Sequence, residues 1–239
     1  MKYLDGTWTV GAVVANLPEA AGVFDAFHID FCCGGNRPLL DVVNQLDINK
    51  GALADALEKA RGQRSGTYKG MGHRFTEMEP TVLSTYIEDT HHSYLRSALP
   101  ELLDLLNTVL RAHGKNHREL YMVYSLFSRL KGDLEQHLLK EEALLFPAFA
   151  GLESNTQEIS TLSAEIIAEH EAAGVILSEL RRVTKNYRLP EDACPSYKKA
   201  YKLLVELEND LHQHIHLENN ILLRDYDTRL PVYTNERVG

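Results

Sequence analysis

Apolar residues in the second two thirds of the chain recur every three or four positions, over runs too long for strands. In one run Leu120, Val123, Phe127, Leu130, Leu134, His137, Glu141, Leu144 and Ala148 form a single stripe. This stepping predicts a helix that buries one face. A second stripe carries Leu204, Leu207, Leu211, His214, Glu218 and Ile221. A third runs through Leu95, Leu99, Leu102, Leu106 and Val109 and, stepped backwards, reaches His92. A fourth holds Ile159, Leu162, Ile166, His170, Ala173, Leu177 and Leu180. The expected helices cover residues 81–112, with a kink at Pro100, then 117–149, 156–185 and 195–225. Short connections between long helices predict an antiparallel four-helix bundle over residues 80–226.

The first 61 residues read differently, as short helices. Thr9 can cap VGAVVANL, Pro18 opens PEAAGVFDAF, Asn36 precedes RPLLDVVNQL, and Asn49 precedes KGALADALEKA. Polar caps and first-turn prolines are ordinary helix starts. A small helical domain over 1–61 is expected. Between its second and third helices lies HIDFCCGGN, where paired glycines permit a tight turn. Cys32 and Cys33 then sit near a helix N-terminus, whose dipole favours thiolate; burial of one of them as a small hydrophobe is the competing reading. Residues 62–79 are rich in Gly and polar side chains and read as a linker, in which His73 is expected to be solvated. Residues 227–239 read as a C-terminal tail.

The polar intruders on the stripes carry the chemistry. His137 and Glu141, like His214 and Glu218, are four apart at positions that should face the core, so imidazole and carboxylate can reach one ion. A lone carboxylate in an apolar core costs several kcal/mol unless neutralised, ion-paired or bound to metal. A satisfied core His beside a surface Glu explains one such pair; two in register argue against it. In an up-and-down bundle His92, His137, His170 and His214 also fall within about one helical turn of the same level, at roughly 1.5 Å per residue. Four imidazoles and two carboxylates exceed the needs of one tetrahedral ion and suit two, with bridging carboxylates. Nitrogen and oxygen donors without thiolate fit iron or manganese and tolerate zinc, and an open position could take O₂ or NO. His91, His212 and His216 flank the stripes, and His113 and His117 lie by the turn between the first two long helices. Surface or supporting roles are expected for these five.

Composition narrows the partners. A formal charge of −9 with no clustered basic face argues against nucleic acid. No apolar run approaches a membrane span, and MKYLDGTWTV has no signal-peptide pattern, so a cytoplasmic protein is expected. Three cysteines, two adjacent, do not make a disulfide framework and fit a reducing compartment.

The motifs together resemble the repair-of-iron-centres family, hemerythrin-like di-iron proteins that restore iron-sulfur clusters damaged by nitrosative or oxidative stress. The resemblance rests on Cys-Cys-Gly-Gly after Asp-Phe, then HLLKEEALLFP, AEHEAAG and HQHIHLENN in that order, and covers about residues 10–223. It implies an all-α fold, a hemerythrin-like bundle after a small helical domain, and two iron ions in an oxo- or hydroxo-bridged centre. By motif the iron ligands fall on His92, His137, Glu141, His170, His214 and Glu218, with Glu141 and Glu218 bridging. The family's cysteine pair falls on Cys32 and Cys33, redox candidates whose role stays open. Glu169 matches an acidic position beside the metals. One departure is Asn219-Asn220-Ile221-Leu222-Leu223-Arg224, where relatives often have Phe-Pro after the aliphatic pair; it puts the helix end in question.

The implied function is repair of damaged iron-sulfur clusters by supplying iron or handling NO, with iron-sulfur proteins as partners. The appended Cys-Cys domain favours repair over oxygen carriage, for which a fifth metal-facing histidine would also be expected. Reduction of NO or O₂ at the same centre is the enzymatic alternative, and a diatomic or redox sensor a third. A homodimer is compatible with the sequence.

Overall fold

The computed structural model describes residues 3–62, 75–150 and 156–226, and these are helical apart from turns, loops and one isolated bridge between Thr9 and Pro38. His73, most of the expected linker and the expected tail lie outside the described residues. Two compact units form. One comprises Met1–Leu83, Asn155–Ala164 and Ile215–Gly239; the other comprises Ser84–Ser154 and Glu165–His214.

In the first unit α1 (Val10–Asn16) begins as the sequence predicts, with the Thr9 hydroxyl accepting from the Ala12 N–H. Helix α2 (Ala20–Ala26) opens two residues after Pro18. It closes through His28, which takes a left-handed backbone (φ 57°), while the Ile29 N–H returns to the Phe24 carbonyl. Helix α3 (Leu39–Gln45) starts later than expected, after an extended Pro38, so Asn36 is not its cap. Its end repeats the α2 device, with Asp47 at φ 52° and the Ile48 N–H on the Val43 carbonyl. Helix α4 (Lys50–Gly62) is capped by Asn49, whose side-chain oxygen accepts from the Ala52 N–H at 2.9 Å. Val10, Val13, Phe24, Leu39, Val43, Leu53 and Ile215 belong to one buried cluster, which holds the short helices together.

The second unit is built on long rods. Helix α5 (Pro80–Ile87), which crosses the boundary between the units, passes through a π-helical turn, π1 (Glu88–His92), into α6 (Ser93–His113), which accommodates Pro100 in its interior. Helix α7 (Glu119–Lys140) continues as π2 (Glu141–Leu145) and α8 (Phe146–Ala150). Helix α9 (Thr156–Thr184), counted with the first unit up to Ala164, is regular throughout, and α10 (Pro195–Leu217), counted with the first unit from Ile215, ends in π3 (Glu218–Leu222). Leu95, Leu102 and Leu106 of α6, Val123, Phe127 and Leu130 of α7, Leu177 and Leu180 of α9, and Tyr197, Leu204 and Leu211 of α10 form one buried core. This is the four-helix bundle expected from the stripes. Among the described residues no helix is long and apolar enough to cross a membrane.

Candidate metal centre

The six donors picked out by the stripes are all buried. Three of the four rods depart from α-helical geometry where they carry them: His92 ends π1, Glu141 opens π2 and Glu218 opens π3. Closing the backbone i→i+5 widens a turn by one residue, and such turns recur at functional sites. The wider turn changes which residues point inward. Before the buried pair His91 and His92 the previous buried position is Ile87, five residues from His92. After Glu141 the buried residue is Leu145, whereas Leu144, expected on the stripe, is exposed; Ala148 is only half-buried. After Glu218 Leu222 is buried and Ile221 half-buried. On α9 Ser163 is buried and its neighbour Leu162 half-buried.

The donors form two overlapping groups. His92, Glu141, His214 and Glu218 make one; His137, Glu141, His170 and Glu218 make the other, and in each the candidate ligand atoms lie within 4.8 Å of one another. Glu141 and Glu218 belong to both. His92 Nε2 lies 3.3 Å from both His214 Nε2 and a Glu141 oxygen. His170 Nε2 lies 3.1 Å from His137 Nε2, which is 3.4 Å from the same Glu141 oxygen.

Outer carboxylates set the imidazoles. His92 Nδ1 meets Glu142 at 2.7 Å, and Glu142 is itself paired with Arg96. His137 Nδ1 meets Glu169 at 2.8 Å. The hydrogen bond from His137, reinforced by Lys140, pulls the Glu169 carboxyl down to about 2. A neutral imidazole has one N–H, and if Nδ1 spends it on a carboxylate, the Nε2 lone pair is turned inward. His92 and His137 therefore present lone pairs to the space that also receives His214, His170 and the Glu141 carboxylate. Like-signed lone pairs and buried carboxylates crowded together are a poor core but a good cation cage. The donor set fits two ions sharing two carboxylates.

Glu169, matched by the resemblance to an acidic position beside the metals, meets His137 and Lys140. Sequence reasoning did not single out Glu142, whose partner is 50 residues away and which is half-buried beside Glu141. His91, expected at the surface or in support, is buried, stacked on His214 with ring centroids 5.5 Å apart and hydrogen-bonded to Asp210 at 2.9 Å.

In the first unit the cysteine motif is held by residues that follow Glu218 on π3. Asp30 receives the N–H groups of Cys32 and Cys33 at 3.1 and 3.0 Å on one oxygen, and that of Gly34 at 2.9 Å on the other. Asn220 donates to the Phe31 carbonyl at 3.2 Å, and Asn219 reaches the Cys32 carbonyl at 3.4 Å. A Cβ on Gly35 would lie 2.3 Å from Asn220 Oδ1, and one on Gly11 2.2 Å, so both glycines make room for this amide. His216 packs on Phe31 and meets Asn220 at 3.1 Å; burial lowers its pKa to about 4. Cys32 is buried and Cys33 half-exposed, with sulfurs 3.7 Å apart. Neither cysteine lies at the helix N-terminus expected from the sequence, because α3 opens only at Leu39. The Cys33 sulfur, burial and the Asp30 carboxylate push the Cys32 thiol well up.

Both parts of the chain are similar to known proteins. Residues 84–226 match the hemerythrin HHE cation-binding domain, and residues 7–61 match the ScdA_N domain of unknown function (DUF542). Iron-sulfur cluster repair protein YtfE of Yersinia pseudotuberculosis is 32% identical over 215 residues, covering 90% of this chain and 94% of the relative. Iron-sulfur cluster repair protein ScdA of Staphylococcus epidermidis is 28% identical over 220 residues, 90% and 96% of the two chains. ScdA of Staphylococcus haemolyticus is 26% identical over 219 residues, 91% and 96%. With its bundle matched from end to end, the chain belongs to the hemerythrin HHE cation-binding family and carries a ScdA_N domain ahead of it.

Proposed function

We propose that this chain repairs iron-sulfur clusters, with two iron ions held in the bundle. His92 and His214 serve one ion, His137 and His170 the other, and Glu141 and Glu218 are shared. The observation that carries the reading is the paired donor groups overlapping at two buried carboxylates. The names of the relatives supply the repair role. Bound there, iron supplies one-electron chemistry, affinity for NO and O₂, and a stock of metal for a damaged cluster. Glu142 and Glu169 keep the imidazole Nδ1 protons in place and so hold Nε2 ready for metal. Iron-sulfur proteins are the targets, in the cytoplasm, and Cys32 and Cys33 are the redox candidates for exchange with them.

Reactivation of an iron-sulfur enzyme inactivated by NO tests the reading. Iron-loaded wild-type protein should restore activity, and Glu141→Gln should not; equal repair by both contradicts it. Anaerobic mixing of the diferrous protein with NO separates repair from the enzymatic alternative. Repair expects stoichiometric nitrosyl formation with iron release, whereas sustained turnover to N₂O, with a chemical electron donor supplied in excess to re-reduce the irons, assigns NO reduction.

A further inference from the structure

A second cluster of metal-binding side chains lies in the bundle unit, away from the buried donors. His113 is the last residue of α6, about 21 residues and roughly 30 Å along the rod from His92. The turn after it keeps helical spacing, because the His117 N–H bonds to the His113 carbonyl at 2.9 Å. The two imidazoles therefore emerge on one side, four residues apart. Asp192, from the segment before α10, meets them: His117 Nε2 lies 2.8 and 3.1 Å from its two oxygens. Ligand atoms of His113, His117 and Asp192 lie within 4.8 Å of one another. Buried Tyr197 backs the cluster, with ring centroids 5.4 Å from His113 and 5.9 Å from His117.

We propose that His113, His117 and Asp192 form a second cation site, taking a divalent transition-metal ion of the zinc type. His117 faces a carboxylate on both sides, Glu119 at Nδ1 (3.3 Å) and Asp192 at Nε2. A neutral imidazole can donate to only one of them. With its proton on the Glu119 side, the Nε2 lone pair points at Asp192, and an ion between them satisfies both. A protonated His117 in a plain ion pair would do so too, but it leaves the adjacent His113 imidazole unexplained. Two imidazoles and one carboxylate are a three-donor set for zinc, and the exposed Asp192 beside the half-buried histidines leaves a fourth position to water. Nitrogen donors favour zinc, cobalt, nickel or copper over magnesium or calcium. Glu119 acts as a positioning residue, holding the ring orientation.

The site is independent of the repair reading and is tested separately, on iron-loaded full-length protein. Equilibrium dialysis against zinc should show one ion bound per chain beyond those in the bundle, with iron content unchanged. His113→Asn and His117→Asn should each lose that ion while retaining iron and helical content. Glu119→Gln should keep the stoichiometry but bind about tenfold more weakly. Cobalt in place of zinc should give the visible absorption of a four-coordinate site in wild type and not in the two histidine variants. No extra zinc in the wild type, or uptake that survives both histidine substitutions, overturns the proposal.

Discussion

Glu142 meets His92 Nδ1 at 2.7 Å across 50 residues of chain, and Asp210 meets His91 at 2.9 Å, so carboxylates from distant segments set these imidazoles. His92, His137, Glu141, His170, His214 and Glu218 stood out because polar side chains interrupt apolar stripes, and the structure gathers all six. Glu142, Asp210, Asn219 and Asn220 carried no such mark, since their roles depend on atoms from other segments. The glycines of the cysteine motif lie in the tight turn that the sequence predicts, where the Arg37 N–H bonds to the Gly34 carbonyl. Gly35 also clears space for Asn220 and the Phe31 carbonyl, which a Cβ would approach to 2.3 and 2.7 Å. The second contact is backbone and cannot swing away. Gly35→Ala should therefore destabilise the protein by about 1–3 kcal/mol, read as a lower urea midpoint at unchanged slope. A neutral result would show that the loop is not held as described.

At the element scale, periodicity placed the four rods and their inner faces. It missed the three π turns, because these have no local sequence signature and each shifts the inward register by one position. Leu144 and Ile221 were expected inside for that reason, where Leu145 and Leu222 are found buried. The turns coincide with His92, Glu141 and Glu218, and this coincidence can be tested. Deleting exposed Ala143 from π2 should let the rod close as a plain α-helix, leaving helical content near wild type while metal binding falls at least tenfold. Retention of full metal affinity by the deletion would separate the π turn from the site.

At the scale of the whole molecule, the all-helical architecture and the bundle were legible because long amphipathic runs with short connections admit few other packings. Burying two carboxylates among four imidazoles makes stability depend on occupancy. Ligand linkage stabilises the loaded protein by about 4 kcal/mol when free metal is a thousand times its Kd. Without metal the same carboxylates cost free energy. Glu141→Gln should thus act with opposite signs, lowering the melting temperature of metal-loaded protein and raising that of the chelator-stripped protein by a few degrees. A shift in the same direction in both forms would contradict a metal role for this side chain. The most direct measurement is the iron content of protein purified from iron-replete cells, for wild type, Glu141→Gln and Glu218→Gln in parallel. A pair of irons in the wild type, lost in both variants, is the expected result; unchanged iron in the two variants would contradict the ligand set on which the function rests.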